Sequence, residues 1–248
     1  MKIKSSVLSQ LPNSLTLLNL MSGSAAVIMV LSGQALTAAF LVCLSLVFDF
    51  FDGFLARLLH VKSLIGRELD SLADVISFGL VPSLFLFDAM SKNSMLEATG
   101  TAGQWLPYAA LLIAAFSAYR LAFFNLDERQ VESFRGLPTP ANAIFIISLS
   151  LISAHGPLYS ESIISSIASS LWFQLLLIPL GCWMLVSDIP MFSLKFSGGF
   201  GFGKNRIRYL FLLLSLVLLL VFGIGGVPLI IVMYVAISLI AGAKIVDK

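Results

Sequence analysis

About eight apolar runs, each near the roughly 20 residues a helix needs to cross a bilayer, follow one another along this chain. They fall at approximately 14–33, 35–59, 68–90, 105–125, 138–155, 170–188, 206–223 and 225–243. Pro12, Ser32-Gly33, Gly136, Gly156-Pro157, Gly198-Gly199 and the stretch 223–228 interrupt them. Backbone in hydrocarbon must satisfy its own hydrogen bonds, so runs of this length read as helices. The expected fold is all-α, a polytopic transmembrane helical bundle of about eight spans. A charged fraction of 11% against 58% hydrophobic excludes an ordinary soluble domain, which carries about 25% charge. The net charge of +2 gives no reason to expect a nucleic-acid partner.

The basic residues orient the bundle. With both termini cytoplasmic and eight crossings, 14 of the 15 Lys and Arg fall on one face and only Lys92 on the other. Dropping or adding a span scatters this pattern. Ahead of the first span, Ile3, Val7, Leu8 and Leu11 share a face at helical spacing, with Lys and Ser opposite. That predicts a short interfacial amphipathic helix over 1–12, ended by Pro12. The remainder divides into a membrane core, 13–188, and a C-terminal helical hairpin with its preceding cytoplasmic loop, 189–248. Cys43 and Cys182 lack metal-ligand spacing and read as small buried hydrophobes.

Against this apolar background stand Asp49, Asp52, Asp70 and Asp74. Each carboxylate in a membrane helix costs roughly 2.5–3.5 kcal/mol on insertion scales, so four need compensation. Asp49 and Asp52, at i and i+3, share a face at the cytoplasmic end of the second span. Asp70 and Asp74, at i and i+4, share a face at the start of the third. Two antiparallel helices thus carry two acids each to one depth. Hard oxygen ligands in this number suit two Mg²⁺ or Mn²⁺ ions, which would clamp a transferring phosphoryl group. Two other readings stay open on these residues alone: charge pairing with Arg57, Arg67 or Arg120, and an ion pathway. Gly53 and Ala56 leave room for close approach beside the acids, and Arg57 stands one turn beyond Gly53.

The pattern Asp49-x2-Asp52-Gly53-x2-Ala56-Arg57-x8-Gly66-x3-Asp70-x3-Asp74 resembles the full signature of the CDP-alcohol phosphatidyltransferase family, matching at every position. The resemblance implies displacement of CMP from a CDP-linked lipid by an alcohol. It implies Asp49, Asp52, Asp70 and Asp74 as metal ligands and Asp74 as general base. It further implies CDP-diacylglycerol contacts at Gly53, Ala56, Arg57 and Gly66, with Gly53 and Arg57 on the diphosphate, and contacts near the nucleotide at Pro12, Asn13, Thr16 and Ser63. Residues 69–79, 119–125, 136–141 and 186–189 are similar to the serine-using branch of the family. CDP-diacylglycerol and L-serine are therefore the expected substrates, with membrane lipid around them. Serine, a zwitterion, needs a cation for its carboxylate and acceptors for its ammonium. Arg120 is the candidate cation; Ser77, Asn125 and Asn142 are candidate polar contacts. Phe123 stands where that branch often carries Arg. Glycerol 3-phosphate and an inositol phosphate remain alternative acceptors, and an ion-coupled transporter is the alternative from another class. The resemblance also implies a homodimer in a bacterial inner membrane, with the active site cytoplasmic.

Overall fold

The computed structural model describes residues 7–61, 64–97, 103–126, 135–154, 163–191 and 201–246. Among these there is no β-strand, only one antiparallel bridge between Arg135 and Pro190. Helices α1 (Val7–Leu31) and α2 (Ala35–Leu58) form a hairpin. Its turn depends on Gly33 at φ +74, a region that favours glycine. Ala26 of α1 and Ala38 of α2 are fully buried in the cluster that joins the hairpin to the third span, because small side chains let helix backbones approach. Interhelical hydrogen bonds, Ser22 Oγ to the Leu41 carbonyl (2.8 Å) and Ser45 Oγ to the Asn19 carbonyl (3.2 Å), add to this packing.

Helix α1 runs unbroken through Pro12, so the expected stop there is corrected. Proline removes one backbone donor but sits near the described N-terminal end of this helix, where the loss is small. Residues 1–6 lie outside the described part.

After α2 the chain reverses through His60, at φ +52, with Val61 N–H donating to the Ala56 carbonyl (3.0 Å). The third span, Leu64–Ser91, is composite. Helix α3 (Leu64–Asp74) passes into a π-helical segment, Val75–Leu80, and continues as α4 (Val81–Ser91). Such insertions interrupt α-helices mostly at functional sites. The π segment packs on α1, where Gly23 meets Ser77, and on α5 (Leu111–Leu126), where Gly79 meets Ser117.

Helices α6 (Thr139–Ala154), α7 (Ile163–Ser169) and α8 (Leu171–Val186) follow. The last two form a pair bent by 76°, a break absent from the sequence expectation. At the end of α8, Gly136 is clamped: a Cβ there would lie 2.6 Å from the Leu185 carbonyl oxygen, and φ is +72. Leu137 N–H donates to the Met184 carbonyl (2.8 Å), stitching the start of α6 to α8.

Among the described residues, five helices are long and apolar enough to cross a membrane, or six if the bent pair is one span. One of the five, Asn205–Ile240, contains a reversal. In a straight helix residues 211 and 234 would stand about 35 Å apart, yet the rings of Phe211 and Tyr234 are 6.1 Å apart. Helices α9 (Phe202–Phe222) and α10 (Gly226–Val246) are therefore two antiparallel arms.

The surface is apolar and the interior partly polar. Leu31, Phe40 and Leu220 are exposed by 69%, 67% and 78%, whereas Asn19, Ser45, Ser77 and Ser117 are fully buried. That inversion fits an integral membrane protein whose outer face meets lipid.

Candidate active site

Asp49, Asp70 and Asp74 each present a carboxylate oxygen, and the three atoms lie within 4.8 Å of one another. Helix α1 packs against both α2 and α3 and so holds their acid-bearing turns together, and helical periodicity puts each pair of acids on one face. Among the described residues no salt bridge reaches any of the four aspartates. Arg67 pairs instead with Glu68 (3.4 Å), and Arg57 is exposed. Charge pairing therefore does not account for the cluster. Two carboxylates at this spacing repel by roughly 3 kcal/mol at an effective dielectric of about 20. Asp70 Oδ1 is also buried without a hydrogen-bond partner. Converging acids, an orphaned oxygen and an all-oxygen donor set fit a divalent cation.

Asp52 stands beside the trio rather than in it. Its Oδ2 accepts a 2.6 Å hydrogen bond from Thr16 Oγ1, and it faces a cavity of about 440 Å³. Pro12, Asn13, Thr16, Gly53, Ala56 and Gly66, all expected to contact CDP-diacylglycerol, line that cavity together with Asp52 and Asp70. A Cβ added to Gly53 would have only Arg57 Nη2 nearby, at 4.0 Å. The absent side chain thus leaves space in the cavity rather than relieving a clash in the fold; Arg57, one turn on, does not line that cavity. Ser63 lies outside the described residues.

The four residues expected at the acceptor do not gather in one place. Arg120 is half-buried; its Nη1 donates to Thr139 Oγ1 (2.8 Å) and its Nε is buried with no partner. Ser77, by contrast, donates to Asn19 Oδ1 (2.7 Å) and is fully buried behind it. Asn125 Nδ2 donates to Ser71 Oγ (2.9 Å), tying α5 to α3. Asn142 is buried between α6 and α8, where a Cβ on Gly181 would lie 3.3 Å from its Oδ1.

Sequence reasoning missed Asn19. Its Nδ2 donates to Asp74 Oδ1 (3.2 Å), while its own oxygens accept from Ser77 and Ser45. Ser77 reaches Asn19 only because Gly23 has no side chain: a Cβ there would stand 2.1 Å from Ser77 Oγ. The signal that could have found Asn19 is a lone amide in an apolar run one turn beyond Thr16, since buried amides in membrane helices need partners.

The comparisons agree with this geometry. The family model for CDP-alcohol phosphatidyltransferase matches residues 9–186. A CDP-diacylglycerol–serine O-phosphatidyltransferase of Mycobacterium leprae is 31% identical over 188 residues, 73% of this chain and 57% of the relative. The protein of the same name from Helicobacter pylori is 36% identical over 138 residues, 55% of each chain. The one from Bacillus subtilis is 29% identical over 147 residues, 58% of this chain and 76% of the relative. The chain thus spans little more than half the length of the first two relatives. With the model covering most of its length, and the signature acids converging beside a cavity lined by the signature glycines, the chain belongs to the CDP-alcohol phosphatidyltransferase family.

Proposed function

We propose that this chain transfers the phosphatidyl group of CDP-diacylglycerol to the hydroxyl of L-serine, giving phosphatidylserine and CMP. The observation that carries the reading is the convergence of Asp49, Asp70 and Asp74 beside a cavity lined by Gly53, Ala56 and Gly66. Support for serine comes from the names of the relatives and from Arg120, a half-buried cation whose Nε–H is unengaged.

The donor diphosphate occupies the 440 Å³ cavity, with backbone at Gly53 and Gly66 close to it and Arg57 on its oxygens. The nucleotide lies toward Pro12, Asn13, Thr16 and Ser63. Two Mg²⁺ or Mn²⁺ ions, held by Asp49, Asp52, Asp70 and Asp74, would neutralise the diphosphate and acidify the attacking hydroxyl. Asp74 takes the serine hydroxyl proton as the serine oxygen bonds to the lipid-side phosphorus and the phosphorus–oxygen bond to CMP breaks. Asn19 holds the Asp74 carboxylate in position through Oδ1 and leaves its other oxygen free of that contact. Arg120 pairs with the serine carboxylate. Ser77, Asn125 and Asn142 serve the acceptor side indirectly, by bracing Asn19, α3 and α8.

The same reading places eight crossings in a bacterial inner membrane, with both termini and the aspartates cytoplasmic. The α9–α10 reversal and the basic residues on one face support that count. The core over 13–188 carries the chemistry, residues 189–248 add the hairpin, and two copies pair as the family resemblance implies. The test is an assay of membranes containing the protein with CDP-diacylglycerol, Mg²⁺ or Mn²⁺, and labelled serine, glycerol 3-phosphate or inositol phosphate. Labelled phosphatidylserine should form, and only with metal. Product from a phosphate-bearing acceptor instead would replace serine in this reading, and no product from any would sink it.

A further inference from the structure

Helix α1 meets the aspartates through two side chains one turn apart. Thr16 Oγ1 donates to Asp52 Oδ2 at 2.6 Å, and Asn19 Nδ2 donates to Asp74 Oδ1 at 3.2 Å. Residues three apart share a helix face, so one face of α1 reaches an acid on α2 and an acid on α3. Pro12 and Asn13, on the preceding turn, line the 440 Å³ cavity, and so does Thr16. Thr16 thus faces two ways, to the cavity and to an acid.

Three features mark the contact between Thr16 and Asp52. Both residues are buried, exposed by only 3% and 6%. Their separation is that of a hydroxyl bonded to an ionised carboxylate, a stronger bond than one between neutral groups. Threonine has a single hydroxyl hydrogen. Its other acceptor, the Pro12 carbonyl, is farther away at 3.1 Å and carries no charge, so the hydrogen goes to Asp52. The back contact to Pro12 also selects the rotamer of a β-branched side chain that has few to choose from. A stiff donor therefore bears on Asp52. Asp52 needs one, since it does not share the close cluster of Asp49, Asp70 and Asp74.

We infer that Thr16 is a positioning residue for Asp52, aiming that carboxylate at the divalent cation it serves, in addition to any contact with the nucleotide. The inference rests on the metal-binding part of the reading above. A ligating carboxylate that loses its outer hydrogen-bond partner loses its fixed direction, and metal affinity falls. The two roles of Thr16 predict different losses. A nucleotide contact acts only when the cavity is filled, whereas a bond that aims Asp52 acts on the cation with the cavity empty.

The experiment uses the purified full chain in detergent, with Mn²⁺ binding read by electron paramagnetic resonance without nucleotide. Thr16→Val keeps the branched shape and loses the hydroxyl; it should weaken Mn²⁺ binding about 10–100-fold. Thr16→Ser should return it to near the native value. Thr16→Ala, carried in parallel, should repeat the loss without added bulk. In an Asp52→Ala background, Thr16→Val should change Mn²⁺ binding no further, because a double-mutant cycle isolates the pair. Native Mn²⁺ affinity in Thr16→Val, with CDP binding alone weakened, would overturn the inference. So would a further loss in the Asp52→Ala background, or loss of the thermal transition in both Thr16→Val and Thr16→Ala. Absence of Mn²⁺ binding by the native chain would overturn it together with the metal reading. Absence of phosphatidylserine, with the expected Mn²⁺ results, would sink the transfer reaction and leave the role of Thr16 standing.

Discussion

Two of the molecule's cavities, one of about 440 Å³ at the aspartates and one of about 280 Å³ between the ends of α5 and α8, are built from opposite materials. The first is lined by carboxylates and small residues from α1, α2 and α3, whose defining positions lie within one stretch of sequence. The second is lined by guanidinium groups and aromatic rings from segments around 119–124, 135 and 185–188. A site made by two helices joined through a tight turn keeps a strict spacing, because helical periodicity carries it. A site assembled at the ends of separate helices has no such spacing and rests on packing. The contrast predicts that substitutions on the first side reach the chemistry, whereas those on the second reach the choice of acceptor or the packing of α5.

The largest expected effect tests the first side at its centre. Asp74→Asn should lower turnover by about 10²–10⁴-fold, the range for losing a general base, while binding of CDP-diacylglycerol by the purified protein persists. Wild-type turnover in that variant would remove Asp74 from the proton transfer. Next comes Asn19→Ala, which deletes the donor to Asp74 Oδ1 and leaves Ser77 without its amide partner. Loss of a hydrogen bond that orients a metal-ligating carboxylate costs about 10–100-fold in metal affinity or activity. The readout is the Mn²⁺ dependence of turnover, which should shift to higher concentration while the KM for serine stays put.

Two glycines on α1 and α2 sharpen the comparison further, because they act through different things. Gly23→Ala places a Cβ 2.1 Å from Ser77 Oγ and 2.9 Å from the Ser77 backbone. Overpacking of this kind costs about 1–3 kcal/mol, measurable as a lower thermal transition in detergent. Gly53→Ala meets nothing closer than Arg57 Nη2 at 4.0 Å, so its transition should not move, and the loss should appear as a higher KM for CDP-diacylglycerol. The smallest effect belongs to the contact between α3 and α5. Asn125→Ala removes the 2.9 Å bond to Ser71, worth about 0.5–1.5 kcal/mol. A large effect on donor KM there would mean that the two cavities are not independent.

Much of the first site was legible because it is local. The i, i+3 and i, i+4 spacings of the aspartates turn into shared faces by helix geometry alone. Pro12, Asn13 and Thr16 also line the cavity, and their link to the motif came from family resemblance, since nothing in their own spacing indicates a nucleotide. Asn19 was not legible: it meets Asp74 from 55 positions away, and a single amide in an apolar run has many possible partners. The same holds for Ser77, which meets Asn19 from within the π-helical segment that shifts the register of the third span after Asp74. Hydropathy cannot show such a register change, because both faces of that span are apolar. Hydropathy did separate the two arms of the C-terminal hairpin, through the glycines at 223–226, but not the 76° bend between α7 and α8.

The sequence by itself determined that this chain is a helical membrane protein, which residues carry its acids, and that those acids meet at one end of two neighbouring helices. Apolar run length and helical periodicity suffice for that, because both act over a few turns of one chain segment. Only the tertiary structure decided that Asp74 is held by Asn19, that Asp52 turns to Thr16, and that Arg120 is bound to Thr139. Those contacts join distant segments, and close helix packing, set by glycines and small residues at 23, 26, 38 and 79, chooses among the many faces each helix could have presented.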